Sequence, residues 1–256
     1  MTELAAVAEI VDTAAKTATA IEQLSLTGHD LNLDEAYAVQ ALSIGRRLAR
    51  GERMVGVKMG FTSRAKMIQM GLDEMIWGRL TDGMRLEDGG ILDMGAYVHP
   101  RVEPELAFVL KKPLSGKVTM AEALGAVEAI APALEIIDSR YQNFKFNLPD
   151  VVADNSSSSS FVVGQWNKPD ADIANLGMIM SFDGKPVQVG SSAAILGHPA
   201  RALAGAARIA GEAGVELKAG WIIMAGGATA AEALRPGVSV SLDVQNLGRA
   251  GFKVAG

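Results

Sequence analysis

The sequence predicts an α+β fold, with a small helical region followed by a strand-rich body. Three observations predict it. Apolar residues recur at three- and four-residue intervals through the first fifty positions, which is the helical period. From residue 76 onward, short β-rich runs outnumber helices. Their spacing is irregular, which argues against the regular βα alternation of a doubly wound sheet or a (β/α)₈ barrel.

The first helix is expected over residues 4–24. After Gly28 a second is expected, capped near Asn32 or Asp34, with Ala36, Val39, Leu42, Ile44 and Leu48 turned inward. Its last turn is basic (Arg46, Arg47, Arg50), and Gly51 ends it. Residues 54–61 read as a short strand with glycines, and 62–70 as a further helix starting at a Thr-Ser cap. Strands are then expected at 101–110, 133–138, 161–164, 177–182, 221–225 and 238–244. Two helices interrupt them, at 119–131 behind a Thr N-cap and at 198–213, which ends at Gly214. No internal repeat is found.

Composition narrows the function. At 256 residues and 49% hydrophobic the chain is large and apolar enough for a substantial core, and disorder is not expected. Acids outnumber bases 29 to 24 and no stretch is strongly basic, so nucleic acid is not an expected partner. There are no cysteines, which excludes disulfides, thiolate zinc sites and cysteine nucleophiles. The first residues lack a basic segment, and Glu3, Glu9 and Asp12 interrupt the apolar ones, unlike a secretory signal. No apolar run approaches the roughly 18–20 residues of a membrane span. The expectation is a soluble, cytoplasmic protein that does not engage a membrane.

Three carboxylates are the most informative candidates. Glu103 and Glu105 stand two apart in His99-Pro100-Arg101-Val102-Glu103-Pro104-Glu105-Leu106-Ala107-Phe108, so on a strand they project to one face about 6–7 Å apart. Two carboxylates facing one spot repel each other unless a proton or a cation lies between them. Glu135 sits in the apolar run Ala133-Leu134-Glu135-Ile136-Ile137, where a lone acid needs a partner. An all-oxygen set selects a hard cation such as Mg²⁺, Mn²⁺ or Ca²⁺. The competing reading is a solvent-facing strand with its glutamates on the wet side.

Other candidates are weaker when taken alone. Lys58, in Gly56-Val57-Lys58-Met59-Gly60, is an isolated cation that could stabilise an oxyanion or move a proton; alone it reads as an exposed lysine on an edge strand. The run Asp154-Asn155-Ser156-Ser157-Ser158-Ser159-Ser160 reads either as a flexible linker or as a polar loop between two strands that cradles a carboxylate. Gly226-Gly227-Ala228-Thr229 is similar. His99 lies near the acid pair or at the surface. Met67, Met70, Met75 and Trp77 read as core.

Together these segments resemble the fumarylacetoacetate hydrolase superfamily, in its hydratase/decarboxylase branch from meta-cleavage degradation of aromatic compounds. The matching stretches are Leu33-Asp34-Glu35-Ala36-Tyr37-Ala38-Val39-Gln40, Gly56-Val57-Lys58-Met59-Gly60-Phe61-Thr62-Ser63, Arg101-Val102-Glu103-Pro104-Glu105-Leu106-Ala107-Phe108, Ala133-Leu134-Glu135-Ile136-Ile137-Asp138-Ser139-Arg140 and Ala153-Asp154-Asn155-Ser156-Ser157. The resemblance implies a mixed β-sheet roll, with a helical N-terminal region plus first strand in residues 1–75 and a β-roll catalytic domain in 76–256. It implies Glu103, Glu105 and Glu135 as ligands of Mg²⁺ (or Mn²⁺), Lys58 as the catalytic lysine, and Ser157 and Asn155 as substrate-binding residues. It implies a small 2-oxo dicarboxylic acid substrate, a complex with the pathway hydratase, and a homo-oligomer. Two activities are implied: decarboxylation of 2-oxo-3-hexenedioate and, alternatively, hydration of 2-hydroxypenta-2,4-dienoate. Hydratases of the branch typically carry an aspartate just before an aromatic-Gly pair, where this chain has Ile76 before Trp77-Gly78; with the stretch 61–71, this favours decarboxylation. A non-catalytic, metal-stabilised binding protein is the expectation from another class.

Overall fold

A computed structural model describes residues 3–63, 67–68 and 74–256. In chain order the elements are α1 (Glu3–Lys16), α2 (Leu33–Ala49), β1 (Met54–Gly60), β2 (Ile76–Thr81), β3 (Ile91–Leu92), β4 (Arg101–Leu110), α3 (Met120–Leu124), β5 (Val127–Ile137), α4 (Leu148–Ala153), β6 (Ser158–Val163), β7 (Gly177–Phe182), β8 (Lys185–Ser191), α5 (Pro199–Glu212), β9 (Ile222–Met224), β10 (Glu232–Ala233), β11 (Ser239–Val244) and β12 (Gly248–Val254). The helix expected over 62–70, and the part of the resemblance it carries, fall mostly outside the described residues, Met70 included.

Among the described residues, one sheet runs β2-β1-β9-β4-β5-β6, with β10 beside β4, and a second runs β3-β12-β11-β7-β8. Both are mixed: β1 pairs in parallel with β9 and β12 with β3, while the other ladders are antiparallel. Strands β11 and β12 lie across β5, and the apolar faces of the two sheets share one core with α5. Leu106, Phe108, Leu134, Met180, Leu203 and Phe252 meet there, all fully or nearly fully buried. The expected α+β mixed-sheet roll with a helical N-terminal region is therefore the observed architecture.

The N-terminal helices pack on one another and on α4, with Val7, Val11, Val39, Tyr141 and Val152 in a second core cluster. Asn32 caps α2 in a reciprocal box with Glu35. The buried Gln40 amide donates to the carbonyls of Trp77 and Val152 and so ties α2 to β2 and α4. Strands β1 and β2 pair from Gly60 and Ile76 back to Met54 and Thr81, across the division expected between residues 75 and 76. No helix among the described residues is long and apolar enough to cross a membrane.

Several elements differ from expectation for identifiable reasons. The first helix stops at Lys16, and Leu24 reaches the core from a short 3₁₀ turn. Leu42 and Leu48 face outward, because the inward stripe of α2 is Ala36, Val39, Gln40 and Ile44. The helix expected over 119–131 ends at Leu124. The two alanines in 127–131 favour helix intrinsically, but antiparallel pairing with β4 and the burial of Val127, Ile130 and Ala131 override that propensity. Val151 and Val152, the expected strand before the serine run, are helical rather than extended, because Asn147 caps α4 reciprocally with Asp150 and Pro149 occupies its first turn.

Candidate metal centre and active site

The acid cluster is built by two strands. Strands β4 and β5 pair antiparallel with Glu103 directly opposite Glu135, and Glu105 follows two residues along the same face. Glu105 and Glu135 have no exposed surface. One carboxylate oxygen from each of Glu103, Glu105 and Glu135 lies within 4.8 Å of the others. Like charges directly opposite destabilise a ladder, so the arrangement needs compensation.

Lys58 provides part of it. Strand β1 is interior, between β2 and β9, so Lys58 is not an edge residue and is nearly fully buried. Its Nζ donates to Glu135 Oε2 at 3.1 Å, and Ser158 Oγ donates to Glu135 Oε1 at 2.8 Å. The main-chain N–H of Gly226 donates to Glu105 Oε2 at 2.8 Å, leaving Glu105 Oε1 buried without a hydrogen-bond partner. Gly227 stands so close that a Cβ would lie 2.9 Å from Glu103 Oε2. Lys58 contributes one positive charge to a cluster of three carboxylates. Burial, then Glu135 and Glu103, push the Glu105 carboxyl well above the ordinary range, against the lowering effect of Lys58. The orphaned oxygen, the mutual repulsion of the carboxyls and the all-oxygen donor set fit a hard divalent cation.

This fit carries a pH dependence. A buried carboxyl with a raised folded-state pKa contributes stability that is present below its unfolded pKa and lost as pH rises through the folded value. Without metal the fold therefore loses Glu105's contribution as pH increases. A cation at this spot displaces the proton. The melting-temperature gain from saturating Mg²⁺ is expected to be larger at about pH 8 than at about pH 5.5. A gain independent of pH, read by differential scanning fluorimetry, would contradict the coupling.

Lys58, Glu103 and Ser157 line one cavity of about 140 Å³, small beside the roughly 300–1,000 Å³ of sites for drug-sized ligands. Thr62, Ser63 and Thr229 complete its polar side, and Phe61, Ile76, Ile137, Phe144, Phe146 and Val151 its apolar side. Two larger and more open grooves, of about 730 and 950 Å³, lie elsewhere and contain none of the three clustered acids.

The serine run is neither linker nor exposed loop. Ser156, Ser157 and Ser158 are buried, and β6 begins at Ser158. Ser157 Oγ is buried at the cavity with no hydrogen-bond partner. Asn155 is not brought there. Its Oδ1 accepts from the Arg79 N–H at 2.8 Å and its Nδ2 donates to the Arg79 carbonyl at 2.9 Å, so it grips β2 in place of the expected substrate contact. His99 packs against Phe144 with ring centroids 5.1 Å apart and ring planes tilted by 45°, and His198 caps α5. Trp77 and Met75 are core, as expected. Sequence reasoning missed Ser158, Thr62, Phe144 and Phe146. The alternation of two phenylalanines in Asn143-Phe144-Lys145-Phe146 was the available signal for the last pair.

A rolled mixed sheet that clusters three carboxylates with a buried lysine at the edge of a small cavity defines an α+β acid-cluster protein whose donor set suits a hard divalent cation. The model of the fumarylacetoacetate (FAA) hydrolase C-terminal domain matches residues 88–255. A 4-oxalocrotonate decarboxylase of Pseudomonas sp. is 58% identical over 255 residues, covering 99% of each chain. A 2-hydroxyhexa-2,4-dienoate hydratase of Comamonas testosteroni is 39% identical over 202 residues, covering 77% of this chain and 76% of the relative. The solved structure of 4-oxalocrotonate decarboxylase from Pseudomonas putida G7, complexed with magnesium and adipate, superposes with a TM-score of 0.95 at 37% identity, covering 98% of this chain and 97% of that one. A second structure of that enzyme holds calcium and acetate. The chain belongs to the fumarylacetoacetate hydrolase family.

Proposed function

We propose that this protein is a 4-oxalocrotonate decarboxylase, which converts 2-oxo-3-hexenedioate to 2-hydroxypenta-2,4-dienoate and CO₂. The observation that carries the choice of reaction is the apolar cavity wall containing Ile76, where hydration calls for a polar group to position water or move its proton. The relatives support it, since a decarboxylase matches at 58% identity over 99% of the chain and a hydratase at 39% over 77%.

Glu103, Glu105 and Glu135 would hold Mg²⁺ (or Mn²⁺). The cation supplies Lewis-acid stabilisation of negative charge at the substrate's C2 oxygen. The remaining steps belong to the chain's own groups. Ser157 Oγ donates to the substrate's 2-oxo acid end. The apolar wall of Phe61, Ile76, Phe144, Phe146 and Val151 faces the distal carboxylate and keeps water from it. The C5–C6 bond breaks, C6 departs as CO₂, and the electron pair moves through C4 and C3 to the C2 oxygen. Lys58 Nζ, fixed on Glu135 and facing the cavity, stabilises that oxyanion and gives it a proton, forming the dienol. A reactive dienol is suited to direct transfer to a hydratase, which is the partner proposed here, within a cytoplasmic homo-oligomeric assembly.

The test offers purified protein both acids in the presence of Mg²⁺. CO₂ release from 2-oxo-3-hexenedioate is expected. Water addition to 2-hydroxypenta-2,4-dienoate without CO₂ release would establish the hydratase instead. Ile76→Asp, which places an acid in the wall, is expected to lower CO₂ release by roughly 10–100-fold. An unchanged rate would remove the wall from the account.

A further inference from the structure

The residue that faces the 2-oxo acid end sits on a backbone that resists its own conformation. Asn155, Ser156 and Ser157 are three consecutive non-glycine residues with left-handed φ, at 51°, 52° and 60°. Such residues persist only where the surroundings over-determine them. On one side the turn is fastened to β2. Asn155 brackets the Arg79 peptide, and Ser156 Oγ donates to the Trp77 carbonyl at 2.8 Å. The approach is so close that a Cβ on Gly78 would lie 2.5 Å from the Asn155 carbonyl oxygen.

On the other side the turn is held by one buried ion pair. Arg140 donates from its main-chain N–H to Asp154 Oδ2 at 2.9 Å, from Nε to Asp154 Oδ1 at 2.5 Å, and from Nη2 to the Asp154 carbonyl at 2.7 Å. Its Nη1 donates to Ser159 Oγ. Asp154 immediately precedes the turn and Ser159 follows it by one residue, so a single guanidinium grips both ends. Arg140 and Asp154 are 4% and 0% exposed. A planar fork with fixed donors can hold this geometry, and a lysine ammonium cannot. Neither residue lines the cavity that contains Lys58 and Ser157. Both line a separate polar cavity of about 260 Å³ behind it.

We infer that Arg140 and Asp154 are positioning residues: the fork closes the left-handed turn and thereby aims Ser157 Oγ at the substrate's 2-oxo acid end. This rests on the proposed reading of the site and adds to it residues that touch neither substrate nor the carboxylate cluster.

The test compares Arg140→Lys and Asp154→Asn with wild type and Ser157→Ala. Oxalate, a mimic of the 2-oxo acid end, is titrated by calorimetry into Mg²⁺-loaded protein, with Mg²⁺ affinity measured separately. Oxalate affinity is expected to fall about tenfold or more in Arg140→Lys, with Mg²⁺ affinity kept within about threefold. In the Ser157→Ala background, Arg140→Lys should cause little further loss, because coupled residues are non-additive. Arg140→Ala should regain oxalate binding with millimolar guanidinium, which the polar cavity has room to admit. Equal losses of oxalate affinity with and without Ser157 would overturn the inference, as would parallel losses of oxalate and Mg²⁺ affinity. Failure of the decarboxylase reading would appear separately, as absence of CO₂ release by wild type that still binds oxalate.

Discussion

Glu105→Gln is expected to abolish turnover, by about 10³-fold or more, while raising the thermal stability of the metal-free protein. The two effects have one cause. Glu105 is buried without exposure, faces Glu103 and Glu135, and has one oxygen without a partner. On the proposed reading that oxygen would bind the divalent ion, and its loss would remove stabilisation of developing charge worth several kcal/mol. Without the ion, the same carboxyl is a burden that a neutral amide relieves. For a chain of this length each kcal/mol moves the melting temperature by about 2–4 °C, so a rise of roughly 3–6 °C is expected. The gap between variant and wild type should widen as pH rises, since the wild-type carboxyl is driven to ionise against its neighbours. An apo variant less stable than wild type, with turnover retained, would contradict both halves.

Lys58→Met is expected to lower kcat by about 10²–10⁴-fold, the range associated with a positioned acid or base, while leaving Mg²⁺ binding measurable. Methionine keeps an unbranched, apolar stem in the interior strand β1, so sheet pairing survives. What is lost is the ammonium between Glu135 and the cavity. The change also removes the ammonium that pairs with Glu135 in the carboxylate cluster. The metal-free variant should therefore be less stable than wild type, and its stabilisation by Mg²⁺ correspondingly larger. Steady-state kinetics with parallel melting curves measure both. A kcat within threefold of wild type would relegate Lys58 to charge balance alone.

The legibility of the site followed the range of the interactions that define it. Glu103 and Glu105 were readable as a pair because a strand has period two, and Glu135 because an acid in an apolar run needs a partner. That Glu103 and Glu135 stand directly opposite depends on the β4–β5 register, which neither segment specifies alone. Lys58 resembled an edge residue because the strands flanking it come from residues 76–81 and 222–224, both remote in sequence. The serine run suggested flexibility by composition, whereas its order comes from Arg140 and β2. Phe144 and Phe146 enter the cavity from an irregular segment in which Asn143 and Phe144 have positive φ, a geometry without periodicity to read. Strands β8 and β12 went unpredicted although Val187 and Val189, and Ala250, Phe252 and Val254, alternate with more polar or smaller residues. Residues 127–131 read as helix, but pairing with β4 and the burial of Val127, Ile130 and Ala131 outweigh alanine's helical preference.

On the proposed reading, the three carboxylates and a divalent cation together form the receptor for the 2-oxo acid end of the substrate. Calorimetric titration of oxalate into the wild-type protein tests it most directly, once with saturating Mg²⁺ and once after chelation. Saturable one-to-one binding is expected in the first experiment and no detectable heat in the second, with Glu135→Gln silent in both. Equal oxalate affinity with and without the metal would contradict it.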